Sequence, residues 1–311
     1  LGLMKYIQGV EEFRLNEPTA VTLGKFDGVH IGHQKLISIV KEKAIQNDVL
    51  SVAFTFDRIT LSICPQNFQH FITTNTERKR IMEEYGLDVE VEYPFTERLM
   101  NTEPEEFIKH IIIGKLNAKY VVVGTDYRFG KNRLGNVDML IEKGPEYGFE
   151  TIVVEKEKYQ EREISSTYVR EELKLGHMET ANMLLGRPYS IYGIVAKGNQ
   201  LGRTIDIPTV NIYPSESKLL PPNGVYASVT EFDGKKYYGV TNVGTKPTVS
   251  DDFEISVETN IFDFDRDIYG KSINVSLMHF LRPEMKFESI EALQKHMKSD
   301  AEFARDMFMV K

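Results

Sequence analysis

The stretch GKFDGVHIGH (24–33) sets two imidazoles, His30 and His33, three residues apart with Gly32 between them. The apolar run VTLG leads into it and QKLISIVKEKAI follows, so the histidines sit where a strand turns into a helix. Three kinds of chemistry fit these residue types. The first is a plain exposed turn in which Gly28 and Gly32 supply unusual dihedrals. The second is half a metal site, because His-x-x-His offers two ligands and no obvious third follows. The third is an anion cradle. A helix N-terminus presents free N–H groups and partial positive charge, Gly32 lets the backbone approach closely, and imidazoles with a pKa of about 6.5 donate to phosphate oxygens. Such a cradle suits the charge that builds on a triphosphate attacked at its α-phosphorus.

A second stretch, GIVAKGNQLGRTIDIPTVNIYP (193–214), joins a Gly-rich turn to Arg203 and Pro-Thr-Val-Asn. Gly198 and Gly202 are too closely spaced for the usual phosphate loop, and Arg203 stands where that loop has lysine. Backbone N–H groups in such a turn can still hold phosphate. Thr209 and Asn211 alternate along an expected strand and so share one side of it. Their oxygens are hard ligands of the type Mg2+ takes. The competing reading is a polar outer strand face.

These residues need elements to position them. Apolar runs rich in valine and isoleucine occur at 19–26, 49–56, 88–95, 119–124 and 150–155. Helix-like stretches lie between. GHQKLISIVKEKAI puts Leu36, Ile37, Val40 and Ala44 on one face. TNTERKRIMEEYG and TEPEEFIKHIIIGKL open with Thr74/Glu77 and Thr102/Glu105 at capping-box spacing, and NVDMLIEKGPEYG completes the set. Alternation of this kind predicts a parallel sheet with helices on both faces and ligands beyond the strand C-termini. The helical pair STYVREELKLG and METANMLLG ends at LLGRP, near residue 186. Short alternating strands follow, with a hairpin turn at FDGKK (232–236). They predict an antiparallel barrel on which a final helix, SIEALQKHMKSDAEFARDMF, packs. The expected domains are 4–186 and 187–311.

Composition bounds the rest. The 311 residues carry a formal net charge of -8, against a partner of nucleic acid, which needs a basic face. Cys64 is the single cysteine, which excludes an internal disulfide framework and suits a reducing cytoplasm. No apolar run approaches the roughly 20 residues of a bilayer span. The opening LGLMKYIQ lacks the layout of a signal peptide, and Leu1 to Leu3 ahead of Met4 are read as a cloning remnant. The expectation is a cytoplasmic protein whose partners are small molecules.

GKFDGVHIGHQKLI resembles the histidine-glycine-histidine signature of the nucleotidylyltransferases, in particular the subgroup that makes FAD from FMN and ATP. VVVGTDYRFGKNRLGNVDML (121–140) is similar to that family's second flavin and nucleotide loop, and ISSTYVREELKLG (164–176) to its Ile-Ser-Ser-Thr-x-x-Arg motif. Residues 193–214, NVGTKPTV (242–249) and ISVETNIFDFDRDIYGKSINVSLMHFLRPEMKF (255–287) resemble riboflavin kinase. The resemblance covers about residues 4 to 308. It implies a Rossmann-like α/β domain followed by a riboflavin kinase barrel. It also implies two steps: riboflavin to FMN with ATP and Mg2+, then FMN and ATP to FAD and pyrophosphate.

By the same resemblance, His30 and His33 bind ATP phosphates within a turn that includes Gly24, Phe26, Asp27 and Gly32. Asp126 and Arg128 line the nucleotide and flavin side. Ser165, Ser166, Thr167 and Arg170 grip phosphates, although Ser and Thr here also read as a helix cap. Gly198, Gly202 and Arg203 hold the kinase nucleotide, Thr209 and Asn211 hold Mg2+, and Glu258 is the base that takes the ribityl hydroxyl proton. Asp206 replaces a glycine often found ahead of the Pro-Thr segment. The chain reads FTFDRITLS (54–62) where the family commonly has Phe-Asp-Pro-His-Pro. Two alternatives follow: one surviving activity, the kinase, or a flavin-binding regulator without catalysis.

Overall fold

The computed structural model describes residues 3–57, 70–196, 208–247 and 253–309. Cys64, Arg58 with its loop, Gly198, Gly202, Arg203 and Asp206 lie outside the described residues. The chain forms two compact units, Leu1–Ser166 and Thr167–Lys311.

The first unit is built on strands β1 (Lys5–Gln8), β2 (Thr19–Leu23), β3 (Leu50–Phe56), β4 (Val89–Tyr93) and β5 (Ala118–Gly124). A short hairpin, β6 (Arg128–Phe129) and β7 (Gly135–Asn136), precedes β8 (Glu150–Val154). The main sheet has the order β1-β4-β3-β2-β5-β8 and every pairing in it is parallel. β3 lies on one side of β2 and β5 on the other. The chain order therefore reverses at β2, and in open parallel sheets ligands bind beyond the strand C-termini at such a switch point.

Alternate residues of each strand feed two cores. Ala20, Ala53 and Val122 pack beneath Ile37, Val40 and Ala44 of α1 (Ile31–Asn47) and Met82 of α2 (Asn75–Glu84). On the other face, Val21, Val52 and Val121 meet Phe107, Ile108 and Ile111. Each of the valine, isoleucine, phenylalanine and methionine side chains contributes about 1.5–3 kcal/mol by leaving water.

Thr74 caps α2 in a complete capping box with Glu77. The parallel expectation for Thr102 and Glu105 is overturned. After the short α3 (Glu97–Met100), helix α4 (Pro104–Phe107) starts with Glu103 as its cap residue and no side-chain cap bond. Pro104 occupies the first helical turn, where its lost N–H needs no cap, and the Thr102 hydroxyl donates to the Arg98 carbonyl at 2.8 Å instead. α4 continues as a π-helix over Ile108–Lys115. Helix α5 (Val137–Tyr147) is capped by the Asn136 side chain. The unit ends in a hairpin, β9 (Lys158–Tyr159) and β10 (Arg162–Glu163).

In the second unit α6 (Ser166–Leu175) and α7 (Met178–Leu185) end at Gly176 and Gly186, both in the left-handed conformation. Six antiparallel strands follow: β11 (Tyr189–Ile194), β12 (Val210–Ile212), β13 (Gly224–Phe232), β14 (Lys235–Pro247), β15 (Phe253–Ile261) and β16 (Ser272–Pro283), in the order β11-β16-β13-β14-β15-β12. The two edge strands approach each other through a bridge between Ala196 and Asn211, which curls the sheet into a barrel. Asp233 and Gly234, both with positive φ, make the expected tight hairpin turn. The C-terminal helix α8 (Ile290–Met309) packs Ala301, Ala304 and Phe308 on the outer face of this sheet.

Candidate active sites

In the first unit the chain leaves β2 into a backbone that few residues adopt. Phe26, Gly28 and Val29 all have positive φ, at 47°, 79° and 42°. For a β-branched valine this costs of order 1–3 kcal/mol and persists only where its surroundings enforce it. Several contacts do so. Phe26 is fully buried and meets the His33 ring edge-on at 5.1 Å. The Gln34 side chain donates to the Val29 carbonyl at 2.8 Å. The Ser166 hydroxyl donates to the Asp27 carbonyl at 2.9 Å. Asp27 is itself buried, and its carboxylate accepts the Thr73 amide at 3.3 Å.

This turn delivers His30 as the residue ahead of α1, with the His33 ring stacked on it at 3.7 Å between centroids. Gly32 matters sterically. A Cβ there would sit 3.3 Å from two atoms of the His30 ring. The Gly24 counterpart would lie 3.3 Å from the Phe26 ring. Paired imidazoles at the start of a 17-residue helix that follows β2 make a donor-rich, positively biased end.

Asp126 lies in the turn after β5 and Arg128 opens β6, both exposed. Lys156, beyond β8, pairs with Asp126 at 2.9 Å and with Glu163 at 2.8 Å. Its hydrogen bonds to the Glu163 and then the Asp126 carboxylate hold its ammonium above the ordinary lysine range. Lys35 of α1 pairs with Glu157, whose carbonyl accepts the Ile164 amide. The histidine turn, the Asp126 loop and the segment bearing Ser165 and Ser166 thus meet through short polar links. Thr167 is exposed, and Arg170 is half-buried one turn along α6.

Spacing alone did not single out Thr73 or Lys156. Thr73 sits beside a recognisable cap residue, but its partners are 45 and 46 residues away. A wider groove of about 910 Å3 lies elsewhere in this unit and holds none of these groups. Its walls carry both signs of charge, with Glu11 and Glu106 beside Arg14 and Lys115.

The second unit arranges its groups by strand register. Arg282, Val225, Asn242, Glu258 and Asn211 stand opposite one another on β16, β13, β14, β15 and β12. Directly paired residues share a sheet face. Glu258 therefore lies between Asn211 and Asn242. A cavity of about 280 Å3 opens over this row, with Thr209, Asn242, Glu258 and Asn260 as its polar wall and Phe287, Leu293 and Met297 as its apolar one. Arg282 fixes α8 over it through paired bonds to Asp300, at 3.0 and 2.7 Å. Glu258 is half-buried and Asn211 is 5% exposed.

Thr209 also borders a second cavity of about 270 Å3, walled by Phe264, Asp265, Arg266 and Tyr269. The Arg266 guanidinium lies 5.0 Å from the Phe264 ring centre and donates to the Tyr237 hydroxyl at 2.6 Å. The sequence offered no independent sign of Arg282, Asp300 or Arg266, because none carries a short-range motif. Hydroxyl, amide and carboxylate oxygens around Thr209 suit a hard cation that keeps waters and substrate oxygens. Among the described residues no three His, Cys, Asp or Glu side chains form a protein-only metal cage.

Comparison with known proteins bears on both units. The FAD synthetase family profile matches residues 12–168, and the riboflavin kinase profile matches residues 185–308. A bifunctional riboflavin kinase/FMN adenylyltransferase of Buchnera aphidicola (subsp. Schizaphis graminum) is 36% identical over 98% of this chain and 99% of its own length. The Bacillus subtilis protein of the same description is 36% identical over 92% of this chain and 91% of its own. A Streptococcus pneumoniae crystal structure, described as a macrolide-efflux protein, has a TM-score of 0.85 at 30% identity, covering 97% of this chain and 99% of that one. Among the described residues no helix is long and apolar enough to cross a membrane.

Proposed function

The chain belongs to the bifunctional riboflavin kinase/FMN adenylyltransferase family, and from that premise we propose how its residues divide the work. The enzyme phosphorylates riboflavin to FMN with ATP, then joins AMP from a second ATP to FMN, giving FAD and pyrophosphate. Residues 4–186 carry the adenylyl transfer and 187–311 the kinase step.

The kinase assignment rests on Glu258 in the cavity roofed by α8. The apolar wall of Phe287, Leu293 and Met297 suits an isoalloxazine ring, and the ribityl chain then runs toward Glu258. ATP takes the neighbouring cavity, where Arg266 and Phe264 offer a stacking surface. Thr209 borders both, so the γ-phosphate and the ribityl hydroxyl meet beside it. The Glu258 carboxylate accepts the hydroxyl proton, the oxygen bonds to the γ-phosphorus, and the bond to ADP breaks. Thr209 and Asn211 would hold Mg2+, which supplies neutralisation of phosphate charge.

In the adenylyl step an FMN phosphate oxygen attacks the α-phosphorus and pyrophosphate leaves. His30, His33 and the first amides of α1 take up the charge that develops. Ser165, Ser166, Thr167 and Arg170 grip phosphate oxygens, and Asp126 and Arg128 face the nucleotide and flavin. We place the protein in the cytoplasm, on the strength of its single cysteine and its ATP substrate.

The stacked His30–His33 pair at a helix start is the observation that carries the adenylyl half. Incubation with riboflavin, ATP and Mg2+ should give FMN and then FAD by chromatography. FMN without FAD at saturating substrate would leave only the kinase.

A further inference from the structure

We propose that Thr73 is a positioning residue for adenylyl transfer, holding the histidine turn in register with the rest of the site. This rests on the reading of His30 and His33 as phosphate-binding groups.

The geometry is a two-bond clasp. The Gly28 amide donates to the Thr73 hydroxyl oxygen at 3.2 Å, and the Thr73 amide donates to the Asp27 carboxylate at 3.3 Å. Asp27 is 4% exposed and Thr73 5%, so water does not readily replace either bond. The clasp closes on Phe26–Val29, where Phe26, Gly28 and Val29 have positive φ, and this turn sets where His30 enters α1.

The other half of the clasp is anchored. Thr73 directly precedes the cap of α2, and α2 is tied to the sheet by Arg78. That guanidinium is fully buried and donates to Glu90 at 2.9 Å and to Glu92 at 2.6 Å. Asn75 donates to Glu92 at 2.6 Å and to Asp57, at the C-terminal end of β3, at 3.2 Å. The segment Thr73–Arg78 therefore ties the histidine turn and the ends of β3 and β4 into one rigid frame. Thr73 touches no reacting atom in this arrangement. It acts through the placement of His30, His33 and the first amides of α1.

A group that orients rather than binds should affect turnover more than ground-state affinity. The test uses the full chain with Thr73→Val, which keeps the shape and removes the acceptor, and Thr73→Ser, which keeps the hydroxyl. Thr73→Val should lower kcat for FAD formation from FMN by about 10- to 100-fold, with KM for ATP and FMN within about threefold. Thr73→Ser should recover most of kcat. Riboflavin phosphorylation in the same preparations should not change. Amide hydrogen exchange across residues 26–30 should quicken in Thr73→Val alone.

Full turnover in Thr73→Val overturns the proposal, as does a serine variant no better than valine, or a parallel loss of kinase activity. An unsubstituted enzyme that makes no FAD overturns the reading of the site instead. Exchange at residues 26–30 then still decides whether Thr73 holds the turn.

Discussion

The two proposed sites would reach the same kind of chemistry, phosphate handling, by different structural means. The first is made at a junction. Three left-handed residues, a buried clasp and a helix start aim His30 and His33. The second is made on regular sheet, where register alone lines up Asn242, Glu258 and Asn211, and a helix supplies the roof. A junction site depends on backbone torsion, so small volume changes near it misdirect the groups. A register site tolerates such changes but depends on each functional side chain and on the clamp holding its roof.

The largest effects should come from the groups themselves, and they should separate cleanly. Glu258→Ala should lower FMN formation by about 100-fold or more while FAD formation from supplied FMN persists. His33→Ala should do the reverse on a similar scale. Either substitution leaving both rates intact would break the comparison at its root.

Next comes the roof. Arg282→Ala removes charged hydrogen bonds to Asp300, both side chains being less than a fifth exposed, and should cost about 2 kcal/mol. Riboflavin KM should rise about tenfold, with FAD formation from FMN unchanged. A fall in kcat with KM intact would argue against α8 as the wall of the flavin cavity.

Gly32→Ala sharpens the point about the junction. Alanine suits a helix better than glycine, so the melting temperature should hold or rise slightly. The crowded His30 ring should nevertheless cut adenylyl transfer by about three- to tenfold. Unaltered transfer would mean that the ring has room to shift.

The smallest effect is electrostatic. The Arg305 guanidinium, through its hydrogen bonds, lowers the Asp263 carboxyl below its usual value. A depressed folded pKa stabilises above the unfolded value and is lost as pH falls through the folded one. Asp263→Asn should therefore lower the melting temperature slightly at neutral pH and low salt, and not at pH below the depressed value. Both chemical steps should be indifferent to it.

Much of this was legible from local pattern. Ile37, Val40 and Ala44 face the core as their spacing predicted, and Thr74 caps α2 as its spacing with Glu77 predicted. Thr102 shows the limit, because Pro104 moved the helix start past the expected cap. Glu90 and Glu92 show another. In VEVEY they alternate like solvent-facing residues, yet both are buried, since Arg78 from α2 donates to both carboxylates. Nothing within a strand announces a partner on the neighbouring helix.

Short-range regularities were determined by the sequence itself: the alternation of strand and helix, the tight turn at Asp233–Gly234, and the residue types at each site. They follow from side-chain period, torsional preference and capping, which act over a few residues. Only the tertiary structure decided that Thr73 clasps Asp27 and Gly28, and that Glu258 lies between Asn211 and Asn242. It alone set Arg282 to hold the roof over them. Those relations join segments far apart in the chain, and the Thr73 clasp exists because burial leaves its polar groups no partner but another part of the fold.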